Sequence, residues 1–266
     1  MRLIYPGPAG DGEPDLARLY ACPDRGSADR PWVRANMIES ADGAATVDGL
    51  SGGLGGPADR EVFGVLRALA GVILVGAGTA RAEGYRPARV AARWTALRVG
   101  RTATPPIAVL SGRLDLDPAG PLVAGAPAWA RTIVITAESA PADRRAELAR
   151  HADVIIAGEQ GVSAAAAVSA LAGRGYREIL AEGGPHLLGQ LSAAGLLDEL
   201  CVTISPVLAG GPAGRIIQGA LAASGGAAPG GPVPDGPVPA GPSRLTLAHV
   251  LADGDYLLCR YLRAGS

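Results

Sequence analysis

Residues 71–86, GVILVGAGTARAEGYR, decide the fold. The run 71–76 is short, continuous and apolar, which is typical of a parallel strand buried on both faces. A glycine-rich turn follows at once and leads into a helical pattern. In open parallel sheets, ligands bind in the crevice at the carboxyl ends of the strands. The stretch therefore predicts an α/β protein with a binding site that begins at Gly76.

Short apolar strands and helices alternate on both sides of this stretch, which predicts a mostly parallel sheet with a helical layer on each face. The predicted strands are 32–37, 71–76, 107–110, 132–136, 154–157, 178–181, 201–204, 245–250 and 256–262. The predicted helices are 58–69, 142–150, 162–174 and 185–194. The last two strands have no helix between them, so we expect an antiparallel hairpin at a sheet edge.

The composition restricts the domain organisation and the partners. The chain has 266 residues, a net charge of −1 and 48% hydrophobic residues, enough for one well-buried domain and too little charge for a nucleic-acid or anionic-membrane surface. We expect a short N-terminal arm over 1–30 and one domain over 31–266. The segment 224–242 holds six Gly and six Pro in 19 residues, which predicts a flexible surface loop.

All 24 basic residues are arginine, so a Schiff-base lysine and a Walker-type phosphate lysine are both excluded. The three cysteines are far apart and odd in number, which favours a reduced, cytoplasmic setting and gives no paired-cysteine zinc site. No leader segment and no uninterrupted membrane-length apolar run is visible. We therefore expect no metal, no membrane contact and a small-molecule ligand.

Polar groups crowd the end of the first predicted strand in residues 36–51, NMIESADGAATVDGLS. Asn36, Ser40 and Asp42 can supply hydrogen bonds there to a flat ring. For Asp42, an ordinary Asp-Gly turn is the equal alternative.

The glycine loop supplies a candidate phosphate site. Gly76 and Gly78 let backbone amides approach an anion, Thr79 can cap the following turn, and Glu83 lies four residues on along the same helical face. The loop lacks the third glycine and the later acidic residue of the dinucleotide fingerprint.

A second loop-to-helix entry follows the predicted strand 178–181, with the sequence EGGPHLLGQ over 182–190. Gly183 and Gly184, followed by a proline at the first helical position, suit a pyrophosphate. Glu182 would project at the strand end, and a buried glutamate needs either a partner or a function. His186 has no metal-like spacing around it and is more typical of a helix surface.

Arginines must supply the anion sites in a chain without lysine. Arg67 lies on the helix before the 71–76 strand, and Arg81, Arg86 and Arg89 follow the glycine loop, where guanidinium groups could hold a phosphate.

Three blocks in order, NMIESADGAAT, LRALAGVILVGAGTARAEGY and ILAEGGPHLLGQLSAAGLLDELCVTISPVLAGG, resemble the reductase domain of the bifunctional riboflavin-biosynthesis protein. The resemblance runs from about Trp32 to Gly211 and implies a dihydrofolate-reductase-like fold. It implies NADPH-dependent reduction of 5-amino-6-(5-phosphoribosylamino)uracil or a closely related pyrimidine, with hydride transfer to C1′ of the ribose. The zinc signature of the fused deaminase is absent from this sequence, so we expect a stand-alone reductase, and the family implies a homodimer.

The resemblance also implies roles for individual residues. The implied cofactor-binding residues are Thr79, Glu83, Ser111 and, in the loop around the phosphates, Gly183, Gly184, His186, Leu187 and Leu188. The implied substrate-binding residues are Ser51, Arg67 and Glu182, with Glu182 near the reacting ribose. Asn36 stands where several relatives have lysine, and its amide can bind the sugar but brings no charge. Arg113 could meet a 2′-phosphate, which favours NADPH over NADH.

Two other functions stay open. Asp59, near the start of the 58–69 helix, is placed like the carboxylate that binds the pterin in folate reductases, which gives a pteridine or dihydrofolate reductase as the alternative. The simpler explanation of Asp59 is a favourable charge at a helix N-terminus. A nucleotide-binding protein without catalytic activity is the second alternative.

Overall fold

The computed structural model describes residues 1–7, 12–23, 30–219 and 243–264, and this part of the chain forms one ten-stranded sheet. The strands are β1 (Arg2–Tyr5), β2 (Trp32–Ser40), β3 (Val72–Gly76), β4 (Ile107–Leu110), β5 (Ile133–Thr136), β6 (Asp153–Ile156), β7 (Glu178–Ala181), β8 (Glu199–Ser205), β9 (Leu245–Asp253) and β10 (Tyr256–Arg263). The α-helices are α1 (Leu16–Leu19), α2 (Pro57–Leu69), α3 (Ala77–Ala82), α4 (Pro121–Ala124), α5 (Ala142–Ala149), α6 (Ala164–Gly173) and α7 (Pro185–Ala193). Two 3₁₀-helices span Ala92–Arg98 and Ala128–Ala130.

The strand order is β1-β9-β10-β8-β2-β7-β3-β4-β5-β6. The seven strands from β8 to β6 are mutually parallel, and β1, β9 and β10 are antiparallel to their neighbours. The expected mostly parallel sheet and C-terminal hairpin are therefore confirmed. The expectation that the hairpin forms the sheet edge is wrong, because β1 pairs with the outer side of β9.

Helices cover both faces of the sheet, which confirms the three-layer α/β fold. Alternate residues of each strand belong to different cores: Leu180 packs in the core that includes α2, and its neighbour Ala181 packs in the core beneath α6 and α7. Helix α2 starts at Gly56 and Pro57, a residue pair suited to a helix entry, and it buries one apolar face on the sheet. Side chains of β7 at even positions thus face α2.

Strands β2 and β8 are longer than the sequence pattern predicts. β2 continues to Ser40 and β8 begins at Glu199, because the two strands pair in parallel register from Arg34↔Glu199 to Ser40↔Ser205. Their polar end residues are held by the backbone ladder, which an apolar pattern does not reveal. The extension brings the polar residues that follow Asn36 into the sheet.

The predicted N-terminal arm contains β1 and α1, which the sequence pattern did not reveal because each is four residues long. Buried Glu199 holds α1 through two arginines. Arg34 Nη2 donates to Glu199 Oε2 at 2.9 Å, and Arg260 Nε donates to Glu199 Oε1 at 2.7 Å. The same guanidinium groups donate to backbone carbonyls of Tyr20 (2.6 Å) and Ala21 (3.2 Å) at the end of α1. The start of the main domain at residue 31 stays a prediction.

Two further expectations concern the flexible loop and contact with a membrane. The predicted loop 224–242 lies outside the described residues. Among the helices of the described ranges, none is long and apolar enough to span a membrane.

Candidate active site

Glu182 and Arg67 form a bidentate ion pair at the carboxyl end of β7. Arg67 Nε donates to Glu182 Oε1 and Arg67 Nη2 donates to Glu182 Oε2, both at 2.7 Å. The Glu182 side chain is 1% exposed and that of Arg67 is 16% exposed. Burial and the carboxylate act on Arg67 in opposite directions, and its pKa is raised, so the guanidinium stays charged. The predicted buried glutamate therefore has a partner that the sequence also singled out.

Tyr85 adds a third member to this pair. Its hydroxyl donates to Glu182 Oε2 at 3.0 Å. The guanidinium carbon of Arg67 lies 4.2 Å from the ring centroid of Phe63 and 5.8 Å from that of Tyr85. The arginine is thus fixed by a carboxylate and by two aromatic rings. Neither Tyr85 nor Phe63 was predicted to belong to the site.

A cavity of about 640 Å³ opens beside this cluster. It brings together seven of the residues predicted to bind cofactor or substrate. These are Ser51, Arg67, Thr79, Glu83, Arg86, Arg89 and Glu182. Phe63, Gly84, Tyr85 and Pro87 complete the lining. The cavity has the volume of a small-ligand site.

The charged residues at and near the cavity wall differ in whether they have a partner within the protein. Arg86 and Arg89 line the cavity, and neither is part of an ion pair within the described ranges. Arg81, expected to join them, instead pairs with Asp115 at 3.3 Å, because its position on α3 directs it toward the loop after β4. Glu83 accepts the backbone N–H of Ser51 at 2.8 Å and so connects α3 to the loop before α2.

Asn36 lies on the strand next to Glu182. β2 and β7 pair in register up to Ala35↔Ala181, and Asn36 and Glu182 are the next residues of the two strands. By the alternation along each strand, both face the α2 side of the sheet. Asn36 is half-buried and is absent from the cavity lining.

Asp59 lies on the same side of the sheet, over β8. It is in the first turn of α2 and accepts a hydrogen bond from the side chain of Thr203. Burial is the largest influence on the Asp59 carboxyl and raises its pKa, against the smaller effects of Thr203 and Arg60. Asp59 therefore does more than carry an exposed charge at a helix N-terminus, although the cavity beside Arg67 does not include it.

The two predicted glycine loops are adjacent. Gly76 N–H donates to the Gly183 carbonyl at 3.0 Å, and a β-carbon on Gly184 would lie 2.4 Å from Thr79 Oγ1. Gly183 has φ +103° and is joined to Gly184 by a cis peptide bond. The space beside Gly78 is open, so its backbone can be approached closely. The expectation that Thr79 caps the helix is wrong: the N-cap residue of α3 is Gly76, and Thr79 packs against Gly184.

The first turn of α7 has fewer groups available to bind a cofactor than the sequence predicted. His186 is exposed on the helix, whereas the side chains of Leu187 and Leu188 are buried in the core. Leu188 N–H already donates to the Gly184 carbonyl at 3.1 Å. The contribution expected of Leu188 is therefore not supported, because both its side chain and its amide are engaged. His186 and Leu187 can offer their first-turn amides.

Ser111 and Arg113 follow β4 at the same end of the sheet. Ser111 is buried and its N–H donates to the Ile135 carbonyl at 2.9 Å, and Arg113 is exposed. Arg113 is thus free to meet an anion at the surface.

Asp42 forms the expected turn with Gly43 and makes further contacts. Its carboxylate accepts the backbone N–H groups of Ala209 (3.0 Å) and Gly210 (2.8 Å). Together with the hydroxyl of Ser40, these donors lower the pKa of Asp42 to about 2. Asp42 therefore fastens the loop after β2 to the loop after β8.

Residues 31–256 match the family model described as the RibD C-terminal domain. The chain belongs to this family. It is 30% identical over 192 residues to the 2,5-diamino-6-ribosylamino-4(3H)-pyrimidinone 5′-phosphate reductase of Methanothermobacter thermautotrophicus, covering 71% of this chain and 83% of that protein. The relative that the sequence resembles is thus a reductase, as expected.

Solved structures agree with this membership of the RibD C-terminal domain family. A pyrimidine reductase-like protein from Corynebacterium diphtheriae is 27% identical, with a TM-score of 0.75 over 89% of this chain and 93% of that chain. The riboflavin-biosynthesis reductase Rib7 of Saccharomyces cerevisiae, at 16% identity and a TM-score of 0.59, covers 90% of this chain and 92% of that chain and has the same fold. These two structures confirm the fold of the reductase family that the sequence resembles.

The side chains of this RibD C-terminal domain determine which chemistry is available. Glu182 and Arg67 neutralise each other, and Arg86 and Arg89 leave positive charge at the cavity wall. In the described part of the chain, no three His, Cys, Asp or Glu side chains are grouped as metal ligands. The site therefore offers an anion-binding wall beside an oriented carboxylate.

Proposed function

We propose that this chain reduces a phosphoribosylamino-pyrimidine with NADPH, the step expected for riboflavin biosynthesis. The observation that carries the proposal is the single cavity that joins Glu182, Arg67 and Ser51 to Arg86 and Arg89. A sugar needs hydrogen-bond acceptors for its hydroxyl groups and a phosphate needs guanidinium donors, and both lie in this cavity.

The substrate has two candidates that differ at C2 of the pyrimidine. The relatives are named for 2,5-diamino-6-ribosylamino-4(3H)-pyrimidinone 5′-phosphate, which carries an amino group there. The compound 5-amino-6-(5-phosphoribosylamino)uracil carries an oxygen. In either case Glu182 would accept a ribose hydroxyl, Asn36 would contact the sugar from the neighbouring strand, and Arg86 would bind the phosphate.

The residues at the strand ends fit a dinucleotide. Gly78 has open space beside its backbone, the first-turn amides of His186 and Leu187 face the same end of the sheet, and Arg113 is exposed nearby. NADPH would supply the hydride when bound. Gly76, Gly78, Gly183 and Gly184 would shape its phosphate contacts, Thr79, Glu83 and Ser111 would contact it, and Arg113 would favour the 2′-phosphate over NADH.

The protein's own part in the reaction is to bind and orient. Both oxygens of Glu182 accept hydrogen bonds from Arg67, which fixes the orientation of the carboxylate, so we assign Glu182 to holding the ribose. The rings of Phe63 and Tyr85 lie against the Arg67 guanidinium and help to hold it beside Glu182. These contacts place the sugar carbon for reduction.

The test is NADPH oxidation, followed by absorbance, with each of the two pyrimidines and with dihydrofolate. Consumption with either phosphoribosylamino-pyrimidine, and formation of the ribityl product by mass spectrometry, supports the proposal. Cofactor binding without consumption of any of the three would favour the non-catalytic alternative and contradict the proposal.

A dihydrofolate or pteridine reductase is a second candidate because of the Asp59–Thr203 contact. A half-buried carboxyl with a raised pKa, bonded to a threonine on the sheet, suits the amino-pyrimidine edge of a pterin. Asp59→Asn separates the two functions. It should abolish dihydrofolate reduction by removing the ionisable group, and it should leave the phosphoribosylamino-pyrimidine reaction within a few-fold.

We also propose a homodimer in a reducing, cytoplasmic setting. On the face of the C-terminal strands opposite α2, Leu247 and Tyr261 pair across β9 and β10 half-exposed, and Leu257 is 38% exposed. Half-exposed apolar side chains on a sheet face suit a symmetric contact with a second copy. Leu257→Arg should shift the mass measured by light scattering toward the monomer, and a monomeric wild type would contradict the proposal.

A further inference from the structure

Tyr85 touches the reacting end of the cavity, and its place depends on how α3 ends. Gly84, with φ +59°, follows the C-cap residue Glu83. Gly84 N–H donates to the Arg81 carbonyl at 3.2 Å and Tyr85 N–H donates to the Ala80 carbonyl at 2.9 Å. These two bonds form a Schellman motif, which reverses the chain at a glycine. The motif sets Tyr85 at the cavity wall, beside Arg67.

The hydrogen bonds to Glu182 are unequally distributed between its two oxygens. A carboxylate has about four acceptor positions, two on each oxygen. Oε2 accepts from Arg67 Nη2 and from the Tyr85 hydroxyl, so both of its positions are filled. Oε1 accepts from Arg67 Nε, and no second donor to it is found among the described residues. One acceptor position therefore remains, on Oε1.

We propose that Tyr85 is a positioning residue: by occupying Oε2 of Glu182, it leaves Oε1 as the acceptor for a ribose hydroxyl of the substrate. This inference rests on the proposed function. Tyr85 contacts the carboxylate and acts on the substrate through it. It thereby fixes which carboxylate oxygen orients the sugar. The position of the sugar carbon that is reduced follows from that orientation.

The hydroxyl of Tyr85 remains protonated and able to donate at neutral pH. Burial, reinforced by the charge of Glu182, raises the pKa of Tyr85 well above its ordinary value, and the opposing effect of Arg67 is smaller. The neighbouring groups are the carboxylates of Glu182 and Glu83 and the guanidinium of Arg67. The hydroxyl therefore keeps its proton and donates it in a hydrogen bond to Glu182.

The test is Tyr85→Phe, which removes the hydroxyl and keeps the ring against Arg67. We expect kcat/KM for the phosphoribosylamino-pyrimidine to fall about tenfold, the loss of one hydrogen bond to a charged group, while the Kd of NADPH stays within twofold. In the Glu182→Gln background the same substitution should cost less than twofold. Tyr176→Phe, which removes a hydroxyl in the loop between α6 and β7, is the matched control and should retain wild-type kinetics.

A second measurement does not depend on activity. The infrared difference between wild type and Glu182→Gln isolates the carboxylate stretch of Glu182, and Tyr85→Phe should shift that band while Tyr176→Phe does not. An unshifted band overturns the inference, as does an active Tyr85→Phe variant with wild-type kcat/KM or with a loss that adds fully to that of Glu182→Gln. A wild type that reduces neither pyrimidine contradicts the proposed function, and the infrared result then decides the Tyr85 contact separately.

Discussion

Asn36 and Glu182 are the next residues along two neighbouring parallel strands, each one position beyond the Ala35↔Ala181 pair. Adjacent strands lie about 4.8 Å apart, so the two side chains face α2 side by side. A neutral amide therefore stands beside a carboxylate whose charge is already neutralised by Arg67. Asn36 and Glu182 can together bind two groups of one sugar, and neither side chain brings a positive charge.

The first prediction concerns this amide. Asn36→Ala should lower kcat/KM for the phosphoribosylamino-pyrimidine about tenfold, because one hydrogen bond to the sugar is lost, and should leave the Kd of NADPH unchanged. Steady-state kinetics and a cofactor titration measure the two effects. Gln160→Ala removes an exposed amide elsewhere and should behave as wild type. A loss confined to cofactor binding would place Asn36 outside the substrate site.

The second prediction concerns the ion pair. Glu182→Gln should reduce turnover about 100-fold, as expected for loss of an oriented charged group, with a Kd of NADPH within twofold of wild type. The variant should also unfold about 1–3 kcal/mol more easily, because Arg67 keeps a largely buried charge without its partner. Denaturant unfolding measures this difference.

The double substitution Arg67→Met with Glu182→Leu separates stability from chemistry. It replaces a largely buried pair by apolar side chains and should recover most of the unfolding free energy while activity stays lost. Recovery of activity together with stability would remove Glu182 from the reaction. An equal loss of cofactor binding and turnover in Glu182→Gln would do the same.

The order of strands and helices could be predicted because continuous apolar runs mark buried parallel strands. Val72 to Val75 are all fully buried, which is what such a run requires. The pairing of Arg67 with Glu182, 115 residues apart, could only be anticipated as a need for some partner. Local spacing contains no information on which distant side chain supplies it.

Other features of the site could not be predicted from the sequence, for related reasons. Thr203 lies within the predicted strand 201–204 beside other β-branched residues, and its bond to Asp59 depends on how α2 packs against the sheet. Tyr85 is an aromatic residue after a glycine, a pattern that does not distinguish a ligand contact from packing. Leu188 matched a family motif, yet the fold turns its side chain into the core.

The third prediction tests the glycine loop. Gly78→Val should raise the Kd of NADPH about tenfold or more, because a branched side chain fills the open space through which the backbone is approached. Turnover at saturating cofactor should change less. Ala82→Val places the same side chain at an exposed position of α3 and controls for helix propensity. Unchanged cofactor affinity in Gly78→Val would move the phosphate site elsewhere.

The last prediction concerns stability and pH. His249 is buried against Tyr20, with ring centroids 4.8 Å apart, and its Nε2 has no hydrogen-bond partner among the residues that the structure describes. Burial, aided by the positive charge of Arg260, lowers its pKa from 6.5 to about 4. Between these values the unfolded chain binds a proton at this residue and the folded chain does not. The unfolding free energy should therefore fall as the pH drops from 6.5 to 4, by about 3 kcal/mol for this group.

The measurement is urea unfolding at several pH values for wild type and for His249→Phe, whose ring packs in the same place without titrating. The difference between the two unfolding free energies should change by about 3 kcal/mol across this window, since the carboxylates common to both proteins cancel. His151→Gln, at an exposed histidine, should keep the wild-type dependence. A difference that stays constant with pH would mean that His249 takes up its proton as readily in the folded protein as in the unfolded chain, which contradicts the prediction.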